Sequence, residues 1–322
     1  MRTTLRLLVK GLRFELAAVV LGALLLSGAA LVVAAQLDTV GIPRDCLYGT
    51  STGPVAMPLS DDGAVQAHEA ACQPKRDAFY ELDNGQAAPV MALMAPFPLL
   101  AGLLLGVPLV AREIEWGTAP LAWTLARSRR RWLLARALPL AVVLGVVLAV
   151  PALAAQVLQG ARDPLVDPWL SFTDSGLRGA ILVGRGLLTF GVAVVVGAIM
   201  GRQLPALIVA GVMAVILLTA GDIGRTEAAR GLASAVRPDA APASGTLFVT
   251  QALRDPDGML HPTSEIVIGS TGEVANGMEL VTLVVPGAKA PLVDGTVAGL
   301  FGGLGLLLIG ATAVLVERRR AS

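Results

Sequence analysis

Apolar residues are gathered into six long runs that polar segments separate, and the runs predict the architecture. We place the spans at 15–36, 89–111, 133–157, 179–200, 205–221 and 293–316. Most of these runs reach the ~20 apolar residues that an α-helix needs to cross the hydrocarbon layer, and none alternates polar and apolar residues as a barrel strand does. The pattern predicts an all-α membrane protein with a six-helix transmembrane bundle over 15–322.

The composition supports a membrane protein. Of 322 residues, 55% are hydrophobic and 15% are charged, and the mean hydropathy is +0.71. Soluble domains carry about 25% charged residues. An ordinary soluble domain is therefore excluded.

The distribution of Lys and Arg predicts the orientation, because these residues are retained on the cytoplasmic side. Four short segments hold 14 of them but only three of the 24 acids. The segments are 1–14, 112–136, 201–204 and 317–322. The N and C termini are thus predicted to be cytoplasmic, with two long external loops at 37–88 and 222–292. The net charge of +1 does not reveal this separation of basic and acidic residues, because their charges nearly cancel over the whole chain.

Residues 1–14 place apolar and basic side chains on opposite helical faces. This pattern predicts an interfacial amphipathic elbow helix that leads into the first span. A secretory signal peptide is the alternative, since Ala34-Ala35 resembles a cleavage site. The apolar run of about 20 residues is longer than the roughly 7–15 of a signal core, which favours the elbow.

Both cysteines, Cys46 and Cys72, fall in the first external loop. On an extracytoplasmic face two cysteines in one loop indicate a disulfide, which would contribute roughly 3 kcal/mol by loop closure. Two free cysteines are the alternative.

The second external loop is predicted to be partly β. Apolar β-rich runs at 246–250, 266–268 and 280–285 are separated by turn signals at 255–258 and 276–277. We expect a small external lobe over 222–292. The Ala/Pro-rich stretch 231–244 is predicted to be irregular linker.

Arg185 lies about six residues inside the fourth span. An ionisable residue in a span is by default a candidate for a substrate pathway. Alternatively, its side chain snorkels outward beside Arg178.

The signals for enzymatic chemistry are weak. Residues 49–53, Gly-Thr-Ser-Thr-Gly, match the nucleophile-elbow pattern around Ser51, but no apolar strand precedes them. His68 and His261 are predicted to be surface residues, and their spacing from the cysteines matches no recognised metal site. No lysine follows a glycine, so the chain lacks a phosphate loop and the ATPase site that needs one.

The segment 112–132 between the second and third spans differs from both in its charge. Gly117 can end the second span in the left-handed conformation, and Thr118 can cap a short helix. Ser128 is a plausible cap for the third span. We predict a short amphipathic helix with Trp123 and Trp132 at the membrane interface. The alternative is that the segment only fixes topology and anchors the chain.

These residues carry a resemblance to a known family. The run Arg112-Glu-Ile-Glu-Trp-Gly-Thr118, then Leu121-Ala-Trp-Thr124 and Ser128-Arg-Arg-Arg-Trp132, resembles the signature of bacterial ABC-2 type permeases. These are the membrane subunits of ABC exporters in the cytoplasmic (inner) membrane. The external loops of this chain are longer than those of many relatives.

The resemblance implies a permease that exports a substrate using a separate ATP-binding subunit, which would bind ATP and Mg. It also implies a second permease copy or a paralogue in the complex. No nucleic-acid partner, metal or cofactor of the chain's own is expected. Coupling to the ATPase subunit is expected to involve Arg112, Glu113, Glu115, Gly117, Thr118, Trp123, Arg129 and Trp132. A non-transporting sensor, immunity or assembly protein that displays its external lobe is the alternative.

Overall fold

The fold is a helical bundle with a small sheet at one end. The computed structural model describes residues 11–43, 46, 62–119, 123–124, 128–164, 166–236, 245–262 and 278–318. The helices are α1 (Arg13–Val40), α2 (Asp62–Leu82), α3 (Ala88–Met94), α4 (Phe97–Glu115), α5 (Arg129–Arg162), α6 (Gly179–Met200), α7 (Gln203–Arg230) and α8 (Ala290–Arg318).

Within the residues that the structure describes, six helical stretches are long and apolar enough to cross a membrane, as the sequence predicts. Helices α2, α3 and α4 form one of them, which is continuous over 66–115 and contains a π-helical turn at Asp83–Ala87. The other five are α1, α5, α6, α7 and α8. The protein is therefore a multi-pass membrane protein. We call the end of the bundle that holds residues 112–132 the signature end, and the opposite end the lobe end.

Several helices extend beyond the predicted spans. Helix α7 continues to Arg230, nine residues past the predicted end at 221. The connection predicted as a loop over 37–88 is helical from Asp62 onward. Both extensions are rich in Ala, Glu, Gln, Lys and Arg, which favour helices without raising hydropathy. A hydropathy pattern therefore misses them.

The first residues fall largely outside the structure. Of the elbow helix predicted at 1–14, only the last four positions are described, and α1 already begins at Arg13. The elbow therefore stays a prediction.

Helix α6 lies at the centre of the bundle and packs against α4, α5, α7 and α8. Of its apolar window 67% is buried, compared with 17% for α7. Phe190 of α6 and Leu105 of α4 have no exposed surface. The arrangement makes α6 the helix on which α4, α5, α7 and α8 are assembled.

Glycines bring α6 into backbone contact with two neighbours. A Cβ placed on Gly191 would lie 2.4 Å from the carbonyl oxygen of Gly305 in α8. A Cβ on Gly102 of α4 would lie 2.8 Å from the carbonyl oxygen of Gly186. Such small residues let membrane helices approach closely. We call these contacts the glycine seams.

The described part of 222–292 contains an antiparallel sheet of four strands at the lobe end, in the order β1-β4-β2-β3. The strands are β1 (Ser234–Val236), β2 (Leu247–Arg254), β3 (Leu260–Pro262) and β4 (Glu279–Val285). Gly258, with φ +87°, and the hydrogen bond from its amide to the Asp255 carbonyl form the predicted turn between β2 and β3. The partly β lobe is thus observed.

The lobe differs from the prediction in one place. Ser234–Val236 pair with β4, although 231–244 was predicted to be irregular linker. Three residues are too few to produce a recognisable alternating pattern. The predicted run at 266–268 and turn at 276–277 lie outside the described residues.

A buried arginine holds the segment before α6. Arg178 is 4% exposed and donates to Gln156 of α5 and to the carbonyl oxygens of Thr173, Ser171 and Pro168. Burial lowers the pKa of its guanidinium, an effect that nearby carboxylates oppose. The planar guanidinium has several N–H donors, so it can bind all four of these acceptors at once.

Replacing Arg178 by lysine is expected to destabilise the lobe end. Lysine keeps the charge but cannot reach all the acceptors, and each buried group left unsatisfied costs about 1–3 kcal/mol. We expect the apparent melting temperature of the purified protein to fall by about 5 °C. Arg230→Lys, at an exposed position of the same end, is the control. Equal melting temperatures for both variants would contradict this account.

Candidate functional site

The signature segment, residues 112–132, begins with a left-handed glycine. The α4 helix ends at Glu115, and Gly117 adopts φ +69° with its amide bonded to the carbonyl of Ile114 at 3.1 Å. No atom lies within 4 Å of a Cβ placed there. The predicted left-handed end of the second span is confirmed, and conformation alone favours glycine at this position.

Arg112 joins α4 to the start of the chain. Its Nη1 donates to the carbonyl oxygen of Gly11 at 2.8 Å, and Nη2 forms an ion pair with Glu15 of α1. The guanidinium also lies 5.6 Å from the ring centre of Trp116. Arg112 therefore fixes the end of α4 to α1.

Glu113 joins α4 to α5 and to the chain that follows Gly117. Its Oε1 accepts from Arg136 of α5 at 2.7 Å, and its Oε2 accepts from the Thr118 hydroxyl at 2.7 Å. Thr118 also donates to the backbone carbonyl of Glu113. Both carboxylate oxygens thus have partners, and the hydroxyl predicted to cap a new helix donates to Glu113.

Glu115 joins α4 to α7. Its Oε2 accepts from the backbone amide of Gln203 at 3.0 Å. Gln203 is the first residue of α7, whose first amides have no partner within the helix. A carboxylate also interacts favourably with the positive end of a helix dipole. Glu115 therefore caps a helix that lies 88 residues later in the chain.

The two tryptophans pack against each other at the start of α5. The rings of Trp123 and Trp132 meet edge to face with centroids 6.4 Å apart. Arg129 lies 4.7 Å from the ring centre of Trp123, and Arg136 lies 4.6 Å from that of Trp132. Ser128 accepts from the Arg131 amide, which confirms it as the N-cap of α5.

The remainder of the predicted short helix is only partly described. Ala119, Trp123 and Thr124 are helical, while 120–122 and 125–127 lie outside the described residues. Glu115, Trp116, Gly117 and Thr118 are all exposed. The segment therefore combines a fixed base at 112–114 with an exposed tip at 115–118.

Arg185 makes an ion pair with α7. Its Nη2 lies 2.6 and 2.7 Å from the two carboxylate oxygens of Asp222. The Arg185 side chain is 13% exposed. A direct ion pair differs from the predicted alternative, in which the side chain snorkels outward beside Arg178. A role in a substrate pathway stays a prediction.

The two cysteines lie together with a histidine. The Sγ atoms of Cys46 and Cys72 are 1.98 Å apart, which is a disulfide distance, and His68 Nε2 lies 3.5 Å from Cys72 Sγ. The sequence spacing gave no reason to group His68 with the cysteines, yet all three ligand atoms lie within 4.8 Å of one another. Sulfurs bonded to each other offer no thiolate, so this geometry does not supply a thiolate metal site. The predicted elbow around Ser51 lies outside the described residues.

Four partners of the candidate residues were not predicted as site residues: Glu15, Arg136, Gln203 and Asp222. Arg136 and Glu15 were counted only for their charge. Their location near the ends of predicted spans was the one available signal. Gln203 contributes a backbone amide, for which the sequence holds no side-chain signal.

Comparison with known proteins agrees with the signature. No curated protein and no solved structure matches the chain. A family model described as ABC-2 membrane transporter related matches residues 46–223. This range covers more than half of the chain and includes α2 to α6, the whole signature segment and most of α7. The chain belongs to the ABC-2 membrane transporter related family.

Proposed function

We propose that this chain is the permease subunit of an ATP-driven exporter that moves a substrate outward across the cytoplasmic membrane of a bacterium. A separate subunit binds and hydrolyses ATP with Mg. Two permeases, identical or paralogous, and two ATP-binding subunits form the complex. The signature end faces the cytoplasm, and the sheet and the cysteine pair lie outside.

The arrangement of the signature segment is the observation that supports this proposal. Its exposed tip at 115–118 is available to a partner, while Arg112 and Glu113 of the base contact α1 and α5, and Glu115, the first residue of the tip, contacts α7. A force applied to the tip therefore reaches three helices directly. Residues that served only as a lipid anchor would not need these contacts.

Nucleotide can drive the membrane helices only if the ATP-binding subunit binds their two conformations differently. This difference in binding arises at the tip, where the ATP-binding subunit contacts the permease. Arg130 and Arg131, in the first turn of α5, are exposed at the same end of the bundle and add positive charge. We propose that these groups border the docking surface and that Trp123, Arg129 and Trp132 support it from the start of α5.

Glu113→Gln is expected to weaken coupling without loss of the ATP-binding subunit. Glutamine keeps the size but not the charge that Arg136 and Thr118 recognise. Coupling free energies of ~1–3 kcal/mol correspond to about 5- to 150-fold, and we expect the permease-stimulated rate of ATP hydrolysis to fall within that range. The measurement uses the co-purified complex in liposomes. Glu317→Gln, on an exposed residue at the same end, is the control.

Co-purification from the native membrane tests the function itself. Recovery of a stoichiometric ATP-binding subunit supports the exporter. Consistent recovery of the permease without one, with proteins bound to the sheet instead, would overturn the proposal in favour of a membrane sensor or assembly protein.

A further inference from the structure

Four charged side chains connect α7 to its neighbours at the lobe end. Arg185 of α6 pairs with Asp222 of α7 at 2.6 Å, and Arg225 of α7 pairs with Asp294 of α8 at 3.0 Å. Arg225 also donates to the Ser175 hydroxyl in the segment before α6. We call Arg185, Asp222, Arg225 and Asp294 the α7 latch.

The other buried contacts of α7 are made by small residues. Its buried residues are all alanines, at 206, 210, 214 and 229. Only 17% of its apolar window is buried within the chain. Small side chains let α7 lie close to α4 and α6, where Ala206 and Ala210 belong to one apolar cluster with Leu103 of α4. The polar contacts that the described part of α7 makes with other elements lie at its two ends.

The two ends differ in what holds them. At the signature end the Glu115 carboxylate caps the first amide of α7, so the helix follows the tip of the signature segment. At the lobe end the polar contacts are ion pairs, and Ala229 also packs in an apolar cluster with Phe172 and Val293. The Asp222 side chain is 44% exposed, so water can solvate its carboxylate when the pair with Arg185 separates. Ion pairs of this kind can break and re-form as a unit.

The glycine seams cannot separate in this way. They place the backbone of α6 against that of α4 and α8, and a close-packed seam changes only if the whole interface moves. In contrast, water can replace the Arg185 contact of Asp222 at the lobe end of α7.

We propose that the α7 latch closes the lobe end of the permease at rest and opens when nucleotide displaces the signature segment. Glu115 transmits the displacement to α7, and separation of Arg185 from Asp222 and of Arg225 from Asp294 lets the lobe end of α7 swing away from α6 and α8. The nucleotide-driven part rests on the proposed function. The existence of an open and a closed state of the α7 latch does not depend on the proposed function.

Spin labels on both sides of the latch test its opening. Thr226 of α7 and Thr296 of α8 are exposed, and their hydroxyls bond only to carbonyls of their own helices. Cysteines are introduced at both positions and labelled with nitroxides. The native Cys46 and Cys72 are bonded to each other, so they do not react with the label. Electron–electron resonance then gives the distance distribution of the permease in nanodiscs.

Without nucleotide, we expect one short distance in the otherwise native protein. Asp222→Asn should add a longer distance and raise the ratio of open to closed molecules about 5- to 30-fold, a change of ~1–2 kcal/mol. Glu227→Gln breaks the Arg230–Glu227 pair, which lies within α7 itself, and should leave the distribution unchanged. The exchange Arg185→Asp with Asp222→Arg should restore the short distance if Asp222→Asn acts through the pair. Identical distributions for Asp222→Asn and the native protein would overturn the latch.

Trapping the complex with ADP and vanadate tests what drives the opening. We expect the native protein to adopt the same longer distance that Asp222→Asn produces. If Asp222→Asn opens the latch but the trapped complex keeps the short distance while it hydrolyses ATP, nucleotide does not drive the opening and that part of the proposal is wrong. If no ATP-binding subunit co-purifies, the proposed function fails, and the nucleotide-free measurement still decides whether the latch exists.

Discussion

Gly117→Val is expected to reduce nucleotide coupling strongly while the permease stays folded in the membrane. At φ +69° a β-branched residue is strained by about 1–3 kcal/mol. No atom lies within 4 Å of the added Cβ, so the effect is backbone strain and not collision. The chain can relieve the strain by moving to negative φ, which redirects the tip and withdraws Thr118 from Glu113. We expect permease-stimulated ATP hydrolysis to fall by about 5- to 150-fold.

Two further variants separate strain from position. Gly117→Asn should retain most coupling, because asparagine tolerates the left-handed region. Gly258→Val introduces similar strain at φ +87° in the β2–β3 turn, where a Cβ also has no neighbour within 4 Å. It should leave coupling unchanged. Normal coupling in Gly117→Val, or an equal loss in Gly258→Val, would refute the role of the tip.

Gly191→Val is expected to have the largest effect on stability. The added Cβ would lie 2.4 Å from the Gly305 carbonyl oxygen and 2.8 Å from its Cα, and both are backbone atoms. A backbone contact cannot be relieved by rotating a side chain, so α6 and α8 must separate. Overpacking usually costs about 1–3 kcal/mol, and a displaced seam should reach or exceed the upper end of that range. We expect loss of the monodisperse peak in size-exclusion chromatography in detergent.

Gly303→Val is the matched control for the seam. Gly303 lies in the same helix as Gly305, but nothing is within 4 Å of a Cβ at this position. Its elution and melting temperature should match those of the native protein. If Gly191→Val behaves in the same way, the close approach of α6 and α8 is not required for folding.

Local chemistry determined which features the sequence could predict. The fourth span was predicted at 179–200, the observed bounds of α6, because Arg178 and Gly201 flank a run in which Arg185 is the one charged residue. The left-handed Gly117 and the Ser128 cap follow from the preferences of single residues. The helical extension over 62–88 could not be found by hydropathy, since its residues favour a helix but are polar.

The contacts of the candidate site depend on the tertiary fold and were not predictable. Glu113 and Arg136 lie 23 residues apart, and Glu115 and Gln203 lie 88 apart. The charges at the span ends indicated only that these residues lie on the same side of the membrane. Arg185 could be recognised as unusual, but its partner Asp222 lies 37 residues later. Pairing at such separations follows from helix packing, which the apolar pattern does not specify.

The glycine seams also determine which parts of the protein can move. Because α4, α6 and α8 are joined through backbone contacts, they form one block, and α1, α5 and α7 are the outer helices that can shift against it. Arg112 reaches α1, Glu113 reaches α5 and Glu115 reaches α7, all from the last turn of α4. Residues 112–115 therefore connect the block of α4, α6 and α8 to α1, α5 and α7.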